Sequence, residues 1–258
     1  MKILVLGGTA DGRHLAERLS QLGVEVLYSI AGLVRVPTLP CEVLVGGFSQ
    51  FGGLATFLKQ RQIDLVIDAT HPYAATMSNT AVAAGQETGI PVWRFLRPAW
   101  QPQAADDWRN YQNDDDLLEQ LKDFKRPLLS AGQMTREQLL AITQSEGFEQ
   151  GVWRTAVLPK FDVPETITWL KAIGPFDLDS ERDLLKRYQI DVIVSKNSGG
   201  DSTSAKLDAA RELGIRVLLH QRPQVNKAVR TFSEYSQLIE AVQAFSASAS
   251  STQEPQQQ

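Results

Sequence analysis

Three stretches of this 258-residue chain hold side chains whose types and spacing could do chemistry. The first is Gly7-Gly8-Thr9-Ala10-Asp11-Gly12. It keeps the first and third glycines of the dinucleotide fingerprint G-x-G-x-x-G and puts Thr9 at the place of the second. Glycines let backbone approach a ligand closely, and a helix starting here presents unpaired N–H groups and a partial positive charge. That chemistry suits a phosphate, to which the Thr9 hydroxyl would also donate. The alternative is a turn that only joins strand to helix.

The second stretch is Val194-Ser195-Lys196-Asn197-Ser198-Gly199-Gly200. Lys196 would project from a strand's carboxyl end. Its ammonium, the Asn197 amide, the Ser195 and Ser198 hydroxyls and the loop N–H groups suit a ligand with several carboxylates or phosphates. A plain capping turn is the alternative, although a turn requires neither a lysine nor an amide. The third is Asp68-Ala69-Thr70-His71-Pro72-Tyr73. Here His71, just past a strand, can donate, accept or position a proton. Equally it could cap the next helix, and Asp68 could be only the strand's polar end.

The elements that must position these residues follow from periodicity. Lys2 to Leu6 is a continuous apolar run, and after the glycine turn the period becomes helical through Leu15, Ala16 and Leu19. Val24 to Ile30, Val43 to Val45, Asp64 to Asp68 and Pro91 to Phe95 read as further strands, with helices at Leu54 to Arg61 and Ala74 to Gly89. Alternation of this kind predicts a parallel, doubly wound sheet, in which ligands collect at the carboxyl ends of the strands. The prolines and polar residues from Arg97 through Asn113 mark a boundary. Beyond it, strands at Pro127 to Ala131, Gly151 to Val157, Asp191 to Ser195 and Ile215 to His220 alternate with helices at Asp115 to Asp123, Thr135 to Gln144, Pro164 to Ala172, Ser180 to Tyr188, Ser202 to Leu213 and Ser233 to Phe245.

The expected architecture is therefore α/β, with two doubly wound, mainly parallel Rossmann-like domains, 1–97 and 103–245, facing a central cleft. Residues 246–258 are too poor in apolar side chains to offset ordering entropy and are expected to be disordered.

Composition narrows the classes of function. A net charge of -4 and no basic run argue against nucleic acid as a partner. Cys41 is the single cysteine, so no internal disulfide forms, and His14, His71 and His220 are too widely spaced for a familiar zinc pattern. No run approaches the ~18 apolar residues of a membrane span. A cytoplasmic protein without a structural metal is the expectation. The Tyr-x-x-x-Lys pair of short-chain dehydrogenases is absent, as are G-x-S-x-G, H-E-x-x-H and a complete P-loop. Residue chemistry alone leads to a nucleotide-dependent enzyme acting on an anionic substrate.

The succession Leu6-Gly7-Gly8-Thr9, Ser29-Ile30-Ala31-Gly32, Gly46-Gly47-Phe48, Asp68-Ala69-Thr70-His71-Pro72-Tyr73-Ala74, Gly174-Pro175-Phe176, Ser195-Lys196-Asn197-Ser198-Gly199 and Lys206-Leu207-Asp208-Ala209-Ala210 resembles the precorrin-6A reductase family of corrin biosynthesis. The resemblance covers nearly the whole chain except its tail. It implies a reductase that uses NADPH or NADH, without flavin or metal, to convert precorrin-6A or its cobalt form to the dihydro product precorrin-6B. The substrate is a tetrapyrrole rich in carboxylates, and the enzyme is expected to be a monomer or weak oligomer that engages neither membrane nor nucleic acid.

Under this resemblance, the cofactor residues are Gly7, Gly8, Thr9, Asp11, Gly12, Arg13, Ser29, Ala31, Gly32, Arg35 and Thr70. Those for substrate are Tyr73, Gln133, Ser195, Lys196, Asn197, Ser198 and Gly199. His71, Lys196 and Asp68 are the candidate proton donors. Family members often carry arginine where this chain has Leu33, so a grip on a 2′-phosphate falls to Arg35 or Arg13, or preference shifts toward NADH. They also tend to carry Gly-Arg where this chain has Gly132-Gln133. Two rival readings are a non-catalytic dinucleotide sensor and an S-adenosylmethionine-dependent methyltransferase of the same pathway.

Overall fold

The computed structural model describes residues 1–32 and 36–251, which form two compact units. The first comprises the described residues within 1–98 and 223–251, and the second residues 99–222.

In chain order the first unit begins with β1 (Lys2–Leu6), α1 (Ala10–Gln21), β2 (Glu25–Ile30), β3 (Glu42–Val45), α2 (Leu54–Gln60), β4 (Leu65–Asp68), α3 (Ala75–Thr88) and β5 (Val92–Phe95). The second unit supplies β6 (Trp108–Tyr111), α4 (Asp114–Leu121), β7 (Pro127–Ser130), α5 (Arg136–Thr143), β8 (Gly151–Thr155), β9 (Ile167–Lys171), α6 (Leu178–Arg187), β10 (Val192–Lys196), α7 (Ala205–Leu213) and β11 (Arg216–His220). The chain then returns to the first unit with β12 (Arg230–Phe232) and α8 (Tyr235–Ser251).

Both sheets are six-stranded, and neighbouring strands run parallel. The first has the order β12-β5-β4-β1-β2-β3, and the second β6-β11-β10-β7-β8-β9. Strands buried on both faces read as unbroken apolar runs, which is why β1, β4 and β10 were plain in the sequence. In the first unit, Leu15 and Leu19 of α1 and Leu238 and Val242 of α8 cover one face. Phe57 of α2 and Ala81 of α3 cover the other. Leu117 of α4 and Leu139 of α5 form one layer of the second unit, with Leu185 of α6 and Leu207 of α7 opposite. Each such leucine contributes about 1.5–3 kcal/mol when fully buried, more than the few tenths by which helix propensities differ. Packing therefore holds these short helices.

The structure corrects the sequence reading in four places. Residues 223–251 group with the first unit, because β12 pairs with β5 and α8 packs on the first sheet. β6 lies in the segment read as a polar boundary, and its partner β11 is more than a hundred residues away, beyond any local pattern. The helix expected over Pro164 to Ala172 is instead β9, paired in parallel with β8. Ile167, Thr168 and Trp169 are strand formers, and the apolar spacing of Ile167 and Leu170 imitated a helix. Finally, α8 runs on through Ser251, so residues 246–251 are helical, since extending a packed helix through alanine and serine is easier than nucleating one. The rest of the expected disordered tail lies outside the described residues.

Candidate functional site

In the first unit the register sets the geometry. Leu6 pairs with both Ser29 and Asp68, so β1, β2 and β4 end at one level. The Gly7–Thr9 turn and the segments after Ser29 and Asp68 thus leave the sheet along one edge. That edge is the topological switch point, because strand order reverses between β1 and β4.

Within the turn the glycines have different tasks. A Cβ on Gly7 would lie 2.2 Å from the ring of Tyr28. Gly7 therefore makes room for a buried tyrosine, whose hydroxyl accepts the Gly8 N–H at 2.9 Å. Burial raises the pKa of that phenol, which keeps it neutral in this role. Gly8 has φ 102° and no atom within 4 Å of where its Cβ would be, so its open side can be approached closely. Gly12 packs on the turn, with its Cβ position 3.1 Å from Gly7 Cα.

Thr9 is the N-cap of α1. Its Oγ1 donates to Ala69 O at 2.8 Å and accepts from Gly12 N at 3.0 Å. The one hydroxyl proton is thus engaged within the protein, which corrects the expectation that it donates to a phosphate. First-turn N–H groups at Ala10 and Asp11 remain for that purpose. Asp11 forms an ion pair with Arg97 and accepts the Tyr235 hydroxyl at 2.5 Å. Arg97 offsets a carboxylate that would otherwise repel an anion at this helix start. Ser29 is buried and its carbonyl accepts the Gly7 N–H at 2.8 Å. Ala31 and Gly32 are exposed beyond it, and Arg13 is exposed on α1. Arg35 lies outside the described residues.

Asp68 is 1% exposed and bonded on both oxygens. Arg94 Nε donates to Oδ2 at 2.9 Å, and the Thr70 hydroxyl donates to Oδ1 at 2.6 Å. This corrects the reading of Asp68 as a proton donor. It is the anion of a buried pair whose guanidinium also holds Asn226 O at 3.0 Å, and Thr70 serves that pair rather than presenting its hydroxyl to a cofactor. His71 Nδ1 accepts the Tyr73 N–H at 3.3 Å. In the neutral ring this places the proton on Nε2, the tautomer a donor requires. Tyr73 stands beside it, ring centroids 5.7 Å apart.

In the second unit Ser195 pairs with Ser130, which brings the end of β10 level with the loop after β7. Lys196 Nζ lies 3.5 Å from the Cβ position of Gly132. Desolvation lowers the pKa of this half-buried ammonium and makes it a readier proton donor. Two neighbours are structural. The Asn197 side chain accepts from Trp100 N at 2.8 Å and donates to Trp100 O at 3.1 Å, and Ser195 is buried with its hydroxyl toward Lys196 O. These contacts correct the expected direct ligand roles of both side chains. Ser198 is buried near the Thr203 hydroxyl, at 3.5 Å, and Gly199 takes the left-handed turn with φ 71°. Gln133 is exposed.

Sequence reasoning missed the support behind this loop. Lys206 is buried over the Trp100 ring, and Arg154 forms a buried ion pair with Glu181 while donating to Ser130 Oγ at 3.3 Å. No local signal could have found the Arg154 pair, whose partners are 27 residues apart. A lysine beside Leu207 on the apolar face of a helix was the available clue to Lys206.

Taken separately, the units define a doubly wound, Rossmann-like α/β protein with a nucleotide-type turn on the first sheet and a lysine loop on the second. The family model described as precorrin-6x reductase CbiJ/CobK matches residues 2–243. A precorrin-6A reductase of Rhodococcus erythropolis is 38% identical over 244 residues, covering 92% of this chain and 96% of the relative. A cobalt-precorrin-6A reductase of Priestia megaterium is 27% identical over 257 residues, with 93% and 97% coverage. Among solved structures, a CobK precorrin-6A reductase superposes with a TM-score of 0.84 at 32% identity, over 94% of this chain and 96% of the other. The chain belongs to the precorrin-6x reductase family.

Proposed function

We propose that this protein reduces precorrin-6A, or its cobalt form, to the dihydro product with NADPH or NADH. The observation that carries this reading is the family match over residues 2–243, and the strand order around the Gly7–Thr9 turn supports the nicotinamide part. When bound, the nicotinamide supplies the hydride. Gly8, the first-turn N–H groups of α1 and the charge-compensated Asp11 suit its phosphates. Around the ribose, the end of β2 offers Ser29, Ala31 and Gly32 without an acidic residue, and Arg13 is the described cation available to a 2′-phosphate.

His71 and Lys196 are the proton donors in this reading. Protonating the conjugated macrocycle makes the ring carbon that accepts hydride more electron-poor. Orientation and water exclusion supply much of the remaining effect. The same reading makes the protein a cytoplasmic enzyme, monomeric or weakly associating; among the described residues no helix is long and apolar enough to cross a membrane. The test is anaerobic incubation with metal-free and cobalt-containing substrate and each nicotinamide. Loss of reduced-nicotinamide absorbance with appearance of the dihydro product is expected for at least one pairing. No consumption with any pairing, together with tight nucleotide binding, would leave a sensor instead.

A further inference from the structure

The carboxyl edge of the second sheet holds a cleft of about 480 Å³. Its walls are the loop after β7 with the first turn of α5, and the segment 157–161 after β8. Parallel sheets place ligands at this edge, and the volume falls within the ~300–1,000 Å³ of small-molecule sites. Gly132, which leads into one wall, abuts Lys196 Nζ.

The lining is flat and apolar with charge at the rim. Trp153 and Phe161 stack with centroids 5.9 Å apart and planes 12° from parallel. The Trp153 indole N–H is turned away to Gly132 O at 3.0 Å, which fixes the ring. Leu158 adds an apolar surface that is 65% exposed, with no core to serve. Arg136 and Lys160 line the same cleft, and among the described residues neither makes a hydrogen bond or ion pair. The acid on this lining, Glu137, is held below the usual carboxylate range by hydrogen bonds to its own backbone and to Thr135. Its carboxylate is bonded to the helix start, and the charge of Arg136 adds a smaller attraction without a short ion pair.

A flat hydrophobic surface rimmed by two cations that make no short ion pair complements a flat ring that carries carboxylates. A nucleotide fits less well. At the start of α5 the Glu137 carboxylate accepts its own backbone N–H, which places a negative charge where a phosphate would sit. We infer that this cleft binds the carboxylate-bearing edge of the tetrapyrrole macrocycle, with Arg136 and Lys160 taking side-chain carboxylates and Phe161 and Leu158 lying against the ring. The inference rests on the reductase reading for the identity of its ligand.

The test is calorimetric titration of the full chain with uroporphyrin III, a polycarboxylated tetrapyrrole, and separately with NADPH, for wild type, Arg136→Gln/Lys160→Gln and Phe161→Ala. Both variants alter the cleft rim, and circular dichroism checks that they fold. Wild type is expected to bind the porphyrin. The charge variant should bind it about tenfold or more weakly, with the KM for precorrin-6A rising in parallel and NADPH affinity unchanged. Unchanged porphyrin affinity and KM in a wild type that does turn over would overturn the cleft assignment and leave the reductase reading standing. Loss of NADPH affinity would give the cleft to the nucleotide and overturn it as well. A wild type that neither binds the porphyrin nor reduces precorrin-6A would remove both.

Discussion

Lys206 Nζ lies 5.1 Å from the centroid of the Trp100 ring and donates to Thr203 O at 2.8 Å. Trp100 is in turn clasped on its backbone by the Asn197 side chain, so a buried cation backs the loop that carries Lys196. Burial, reinforced by the nearby Arg154 and opposed by Glu181, lowers the Lys206 pKa from 10.5 to about 7. Below about 7 the ammonium is charged in both folded and unfolded chains, and its full desolvation cost is present. Between about 7 and 10.5 the unfolded chain binds more protons, so this group's cost falls as pH rises. Lys206→Met removes the titration. Its stability relative to wild type, from urea melts, should decline as pH is raised from 7 to 10. A gap that does not move with pH would refute the charged, buried assignment.

Lys196 has a lowered pKa and a position at the strand end. Lys196→Ala is expected to reduce turnover by about a hundredfold or more, the scale of general acid catalysis, while leaving NADPH binding unchanged. In the wild type the alkaline limb of the rate profile should lie below the ordinary lysine range, because donation requires the protonated form. Intact turnover in the variant would make the loop merely a turn.

Gly7 and Tyr28 occupy one another's space. Gly7→Ala should destabilise the protein by about 1–3 kcal/mol through overpacking and displace the turn, weakening nucleotide binding. In combination with Tyr28→Ala the cost should fall below the sum of the single changes, as a double-mutant cycle reads. Strict additivity would mean that the ring is not what excludes a side chain at Gly7.

Asp68 and Arg94 are a buried pair, 1% and 8% exposed at their side chains. Asp68→Asn leaves a guanidinium without its anion, and breaking a buried pair in this way costs about 3–5 kcal/mol. Arg94 Nη2 already lacks a hydrogen-bond partner among the described residues, so there is little to absorb the change. At a temperature where the variant is folded, turnover per folded molecule should stay close to wild type. A large loss without destabilisation would return Asp68 to the chemistry.

Much of this protein was legible in the order of its residues. A strand buried on both faces must be an apolar run, and a helix over it must repeat every three to four residues, so β1, α1, β4 and β10 announced themselves, as did the turn at Gly7 and the loop at Lys196. Local chemistry could not say which donors were already engaged. Thr9, Asp68, Ser195 and Asn197 looked ready for a ligand, but their partners are Ala69, Arg94, Lys196 and Trp100. Nor could it assign β6 and β12 to their sheets, because short edge strands acquire their identity from partners distant in the chain. Sequence periodicity determined the two parallel sheets, since it reports which faces avoid water. Only the tertiary structure decided which polar groups bind each other and which stay open to a guest, because hydrogen-bond partners meet through space.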